Sequence, residues 1–382
     1  MTKPIYLDYQ ATTPVDPRVA DKMLYYLTTA FGNASSVDHS YGDEADKAVK
    51  DAKRAIATLI QTSPKTLTFT SGATESINLA IQGSPSRQQT PRIALSPLEH
   101  RAVLDTCKAL EQQGKVELVF LNVNSQGQLD LDHLETVLKQ GVGLLCLMAA
   151  NNEIGTIYPL ATIGQLAQQY QVPWLCDGTQ AVGKIPLNFE DWGITYLALS
   201  AHKLYGPKGI GALAVRKDYH LSPLFFGGGH QRGLRSGTLN VPGIAAFGEA
   251  CRLRQQEMTS DEADIARKRD SLQKTLQANL PHLVVNGDQT ARLAGNLHIS
   301  LPDIPNSAII ARIRHQLALS TGAACSSGVE TPSHVLRAIG LPDSLIEGSL
   351  RLSVGKFTTE ADIEKAAEVL VDAVKQIEAL LK

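Results

Sequence analysis

Several features are scarce in this 382-residue sequence, and each scarcity excludes something. Cysteine occurs five times, at Cys107, Cys146, Cys176, Cys251 and Cys325, an odd number with no Cys-x-x-Cys pair. That argues against a disulfide framework and a zinc or other metal ligand set, and it fits a reducing compartment. Neither sign of charge is in excess. The formal net charge is −2, so nucleic acid and anionic membrane have no electrostatic claim as main partners. No apolar run approaches the roughly 18 residues of a membrane span. The opening "MTKPIYLDYQATTPVDP" has no basic stretch followed by an apolar one, so no signal peptide is expected and a cytoplasmic location is. Internal repeats and low-complexity linkers are missing as well. At 43% hydrophobic and 19% charged, the chain has an ordinary globular composition and a length that suits two domains.

What the sequence does have is alternation. "TLTFT" (66–70), "RIALS" (92–96), "VELVFL" (116–121), "GLLCLMA" (143–149), "VPWLCD" (172–177), "TYLALS" (195–200) and "IGALAV" (210–215) read as buried strands. Helix-patterned segments such as "ESINLAIQ" and "ATIGQLAQQY" lie between them. The expectation is an α/β fold, a mostly parallel central sheet with flanking helices. From about residue 256 the texture changes to the charged helical stretch "DEADIARKRDSLQKTLQANL", then to strand candidates "GNLHISL" and "LRLSV". The final segment repeats Ile363, Ala367, Leu370, Val374, Ile377 and Leu381 at helix spacing after a Thr359 cap. Residues 16–255 are therefore expected to form the large domain, and 1–15 with 256–382 a smaller α+β domain.

In a parallel sheet, ligands collect beyond the carboxyl ends of the strands. After "TLTFT" come Ser71, Gly72, Ala73 and Thr74, which open a helix and suit an anion; the same residues would also make a plain capped turn. His100 follows "IALS" at the same sheet edge, though a lone histidine is more often structural than catalytic. Asp177 closes the strand "VPWLCD", with Gln180 just beyond. Ser200, His202 and Lys203 leave the next strand directly. A buried strand-end carboxylate needs a cationic or hydrogen-bonding partner. "GPKGIG" resembles a nucleotide loop, but no helix follows it. An anion-binding helix start, an acid for a pyridine nitrogen and a lysine for a Schiff base together match the needs of pyridoxal 5'-phosphate.

These motifs resemble those of the class V aminotransferase superfamily, fold type I, and within it the cysteine desulfurases. The resemblance is carried by "IYLDYQATTPVDPRV", "FGNASSVDHSYG", "TSGATESIN", "NNEIGTIYPL", "CDGTQAVGK", "SAHKLYGPKGIG", "RSGTLNVPG" and "LRLSVGKFTTEADIE", nearly end to end. It implies that Lys203 bonds the cofactor, Asp177 meets the pyridine nitrogen, and Gln180 reaches the ring oxygen. It implies that His100 stacks on the ring as an acid or base. Ala73, Thr74, Ser200 and His202 would hold the phosphate, with Thr238 supplied to the other subunit of a homodimer. Asn152 would serve cofactor and substrate, and Arg351 and Asn33 would bind the substrate L-cysteine, Arg351 through its carboxylate.

Cys325, in the small-residue stretch "STGAACSSGVE", matches the family's sulfur-accepting cysteine on a long loop. The implied reaction converts L-cysteine to L-alanine and leaves a persulfide on Cys325, for a scaffold or carrier protein of iron–sulfur assembly. Better-known members continue into a tail that contacts the scaffold, whereas this sequence ends at Lys382. Two rivals stay open: a cysteine, cystine or selenocysteine lyase of the same superfamily, which needs no protein thiol, and a non-catalytic sulfur carrier.

Overall fold

Seven apolar runs come together in one sheet. In the computed structural model, which describes residues 3–84, 91–321 and 332–381, a short strand β1 (Ile5–Tyr6) is followed by β2 (Leu67–Thr70), β3 (Arg92–Leu95) and β4 (Glu117–Phe120). Then come β5 (Leu144–Met148), β6 (Trp174–Asp177), β7 (Tyr196–Ser200) and β8 (Gly211–Val215). The last seven pair in the order β2-β8-β7-β6-β5-β3-β4. Strands β3 to β7 are mutually parallel, and β8 runs antiparallel to both of its neighbours. All seven expected strands are present, and the sheet is mostly parallel as read.

Side-chain alternation explains why these strands are apolar along their whole length. Leu145, Leu147, Trp174, Cys176, Leu197 and Leu199 pack on one face, and Leu144, Cys146, Leu175, Tyr196 and Ala198 on the other. Helices Ala73–Gly83 and Arg101–Gln112 cover the second face; Leu131–Lys139 and Leu160–Gln169 cover the first. One reading needs correction. "VELVFL" is not a buried strand: β4 pairs with β3 alone at the sheet edge, and Glu117 and Phe120 are exposed.

A second cluster gathers Leu7, Leu297, Ile299, Leu350, Leu352 and the inner face of the last helix, Glu360–Leu381. Its sheet joins β9 (Val284–Val285), β10 (Asn296–Ser300) and, beyond the short β11 (Leu317–Ala318), β12 (Ser349–Ser353), in the order β12-β10-β9. Strand β1 pairs in parallel with β11, and Leu7 just after it packs in this cluster. The last helix begins with a reciprocal cap: Thr359 Oγ1 accepts the Asp362 N–H at 3.1 Å, and Asp362 Oδ2 accepts the Thr359 N–H at 2.9 Å. Ile363, Ala367, Leu370, Val374 and Ile377 are buried.

The charged stretch after residue 256 is not a helix of its own. It is the second half of Val241–Asn279, a 39-residue helix whose Ile244, Phe247 and Cys251 pack in the first cluster and whose Ile265, Leu272 and Leu276 pack in the second. The composition changes there because the surface being covered changes. No helix among the described residues is long and apolar enough to cross a membrane.

Candidate active site

The carboxyl ends of the parallel strands border one cavity of about 580 Å³, inside the roughly 300–1,000 Å³ typical of small-ligand sites. Asp177 is the last residue of β6 and pairs with Ala198 of β7. β7 ends at Ser200 and tightens into the turn Ala201–Lys203, which brings His202 and Lys203 to the cavity. At the far side β2 leads through Ser71 and Gly72 into helix Ala73–Gly83. Gly72 caps that helix without a side chain, leaving the first-turn N–H groups available to an anion. Close packing keeps this corner narrow: a Cβ on Gly211 would lie 2.7 Å from Gly72 Cα and 2.5 Å from the Leu199 carbonyl oxygen.

Lys203 Nζ donates to the carbonyl oxygens of Gln10 at 2.6 Å and Ala11 at 2.7 Å. Burial, reinforced by the charges of Lys184 and Arg351, pushes its pKa down to about 7. A neutral amine can give both N–H groups to those carbonyls and keep its lone pair for a carbonyl carbon. Asp177, 8% exposed, accepts the Thr179 N–H through Oδ1 at 2.9 Å. His202 is pushed down to about 4, first by burial and then by Lys203 and Lys208, so it is uncharged at neutral pH. His100 caps helix Arg101–Gln112, its Nδ1 accepting the Ala102 N–H at 3.0 Å. An accepting Nδ1 carries no proton, which leaves Nε2 as the ring's donor.

Arg351 reaches the cavity from the middle of β12. Nη1 donates to the Asn152 carbonyl oxygen at 3.0 Å and Nη2 to Asp8 Oδ1 at 3.0 Å, while the buried Nε makes no hydrogen bond among the described residues. Beside this fork Glu153 is buried, and burial raises it to about 7. Beneath the floor Glu99 is fully buried, with Oε1 accepting the Met148 N–H at 2.9 Å; burial raises its pKa well above the usual carboxylate range.

Of the residues named from sequence, Ala73, Thr74, His100, Asn152, Asp177, Gln180, Ser200, His202, Lys203 and Arg351 all line the cavity. Asn33 and Thr238 are not among its lining residues. Asn33 is exposed, its Oδ1 engaged by the Ser35 N–H at 2.9 Å, and Thr238 is exposed on the surface. Cys325 lies outside the described residues. "GPKGIG" runs into β8 rather than a helix, as read, yet Lys208 and Gly209 border the cavity. Gln10 and Ala11 were missed as ligands of Lys203; their motif was noted, but nothing in its spacing placed it against residue 203.

The family model described as aminotransferase class-V matches residues 5–366. The mitochondrial cysteine desulfurase of Arabidopsis thaliana is 41% identical, over 99% of this chain and 83% of its own length. Cysteine desulfurase IscS of Anaeromyxobacter sp. (strain Fw109-5) is 42% identical, over 99% of this chain and 94% of its own length. The chain belongs to the class V aminotransferases, among the cysteine desulfurases. A solved structure described as a NifS-like protein shares the desulfurase fold at TM-score 0.91 and 31% identity, covering 98% of this chain and 100% of that one. Another, described as SspA in complex with cysteine, reaches 0.79 at 31% identity over 94% of this chain and 100% of that one.

The cofactor of this desulfurase is pyridoxal phosphate, and the cavity's chemistry fits it. Uncapped helix N–H groups, two hydroxyls and a neutral imidazole gather at one corner for a phosphate. A buried carboxylate and a lysine poised near neutrality stand at the ends of adjacent strands for the ring and its aldehyde.

Proposed function

We propose that the residues of this cavity divide the desulfurase reaction among themselves, with Cys325 as the sulfur acceptor. The observation that carries the reading is the meeting of Asp177, Lys203 and Arg351 in one cavity with an uncapped helix start. Pyridoxal phosphate, when bound, supplies an electron sink that weakens the Cα–H and Cβ–S bonds of a substrate amino acid. Lys203 would hold the cofactor and, once displaced, carry the Cα proton, work suited to an amine titrating near neutrality. Asp177 would pair with the ring nitrogen, and Gln180 would donate to the ring oxygen. Thr74, Ser200, His202 and the helix N–H groups from Ala73 onward would hold the phosphate. Arg351 and Asn152 would orient L-cysteine by its carboxylate.

His100 offers an Nε2–H beside the cavity and would deliver a proton to Cβ as its bond to sulfur breaks. The thiolate of Cys325 would attack the substrate sulfur: the Cβ–S bond breaks, an S–S bond forms, and Cβ gains a proton to give L-alanine. Thr238, on a surface segment near the exposed Phe225 (50%) and Phe226 (84%), supports a homodimer in which it serves the neighbouring site. A cytoplasmic location and delivery to a scaffold or carrier for iron–sulfur assembly complete the reading.

The test is product analysis with L-cysteine, joined to mass spectrometry of Cys325. One alanine per cysteine and one added sulfur on Cys325 are expected, with Cys325→Ser still binding cofactor and cysteine but releasing no alanine. Pyruvate as the main product would replace this reading with elimination.

A further inference from the structure

Lys184 stands behind the cavity wall and acts on Gln180. Its Nζ donates to Gln180 Oε1 at 2.9 Å. Gln180 Nε2 donates to the Gln10 carbonyl oxygen at 2.9 Å, the same atom that accepts Lys203 Nζ at 2.6 Å. An ammonium group only donates and a carbonyl oxygen only accepts, so the orientation of the amide between them is fixed. Nε2 carries a second N–H, and Gln180 lines the cavity at 4% exposure.

We infer that Lys184 is a positioning residue: its ammonium group locks the Gln180 amide with an N–H rather than a carbonyl oxygen toward the cofactor ring, and its positive charge bears on Lys203. The inference rests on the roles proposed above for Gln180 and Lys203. If Lys184 were replaced by an apolar residue, Gln180 Oε1 would lose its donor and the Gln10 carbonyl alone would hold the amide.

The charged neighbours support the second half of the inference. Facing Lys184 are Glu262 and Arg254 from the long helix, Arg351 from β12, and Lys203 and His202 from the turn after β7, and Tyr9 and Tyr205 line a small cavity with it. Burial lowers Lys184 to about 8, with Glu262 opposing, so it is charged at pH 7. Lys203 faces Lys184, Arg351, His202, Asp8 and Asp177; after burial, Lys184 is the largest influence lowering it.

The experiment uses cofactor-free protein. Lys203 is methylated with formaldehyde and cyanoborohydride across pH, and its modification is read by peptide mass spectrometry. Lys184→Met should raise the Lys203 midpoint by about one unit, and it should weaken cofactor binding about tenfold. Lys184→Arg should restore both. A Lys184→Met protein that melts as the unaltered one does, with an unchanged midpoint, overturns the inference. Should Lys184→Met fail to fold, lysine-labelled NMR of the unaltered protein decides: a charged Lys184 at pH 7 upholds the inference, and a neutral one overturns it. Failure of the underlying reading looks different, because borohydride would then fix the cofactor to a lysine other than Lys203.

Discussion

Lys203 and Gln10 are joined by a 2.6 Å hydrogen bond across 193 positions of sequence, from the side-chain nitrogen of one to the backbone carbonyl of the other. This contact ties Lys203 to the N-terminal segment, whose strand β1 pairs in the second half of the molecule. It also holds an amine half-buried at the cavity wall, and that has a measurable consequence.

Lys203 titrates near 7 in the folded protein, mainly through burial, and near 10.4 when unfolded. Between those values the unfolded state holds a proton that the folded state lacks, so the lysine's burden on stability is full below pH 7 and fades toward pH 10. Cofactor-free Lys203→Met should therefore gain on the unaltered protein most at pH 7. The gain should shrink by pH 10 by on the order of 2 kcal/mol after solvent screening. Thermal melts of both proteins at the two pH values measure it. A difference that stays constant with pH would mean that Lys203 is an ordinary solvated lysine.

Glu153 has the opposite sign. Burial raises it to about 7, against the Ser333 hydroxyl that donates to Oε2 at 2.5 Å and the charges of Arg351 and Arg101. An unfolded glutamate titrates near 4.3, so from there to pH 7 the folded state holds the extra proton, and stability falls as pH rises. Glu153→Gln keeps an acceptor for Ser333 but cannot ionise. Its melting temperature relative to the unaltered protein should rise between pH 5 and pH 8. An equal shift at both values would contradict the raised pKa.

Asp177 and Lys203 could be found from sequence because the first ends an apolar strand and the second follows one within a single turn, and neighbouring parallel strands deliver their ends to one edge. Ser71 to Thr74 could be found because a helix start is a local feature. Gln10 could not, since its partners are set by how the N-terminal segment returns across the sheet; Lys184 meets Gln180 only four residues away, but a lysine at that spacing reads as an ordinary surface residue. Phe120 misled for a related reason. Its run is as apolar as its neighbours', yet edge position, a property of the whole sheet, leaves it exposed. The long helix was split in the reading because its partner surface changes midway.

Arg351 is committed twice before any substrate arrives, to Asp8 and to the Asn152 carbonyl. Arg351→Ala should therefore weaken L-cysteine binding by roughly 2–5 kcal/mol and also lower the melting temperature, because half-buried Asp8 loses its hydrogen-bonded counter-ion. Arg351→Lys should recover much of the stability and little of the cysteine affinity, since a lysine cannot form the planar fork. KM for alanine release and melts on the same preparations separate the two effects. Cysteine affinity restored in Arg351→Lys would show that charge alone holds the substrate.

Thr238 offers the sharpest test of the dimer, because the protein's own cavity does not include it. Suppose it completes the phosphate site of the partner subunit. Lys203→Ala and Thr238→Asp proteins should then each be inactive alone, the first for want of the amine and the second because a carboxylate repels the phosphate. Mixed by unfolding and refolding together, half of the dimers pair one variant with the other. In each such dimer one site combines an intact Lys203 with an intact Thr238, and the other site carries both lesions. Activity should return to about a quarter of the unaltered level. If Thr238 acts within its own subunit, every site in the mixed dimer carries one lesion and nothing returns. If Thr238 touches no site, Thr238→Asp is active before mixing. Alanine release from the separate and mixed preparations distinguishes all three arrangements.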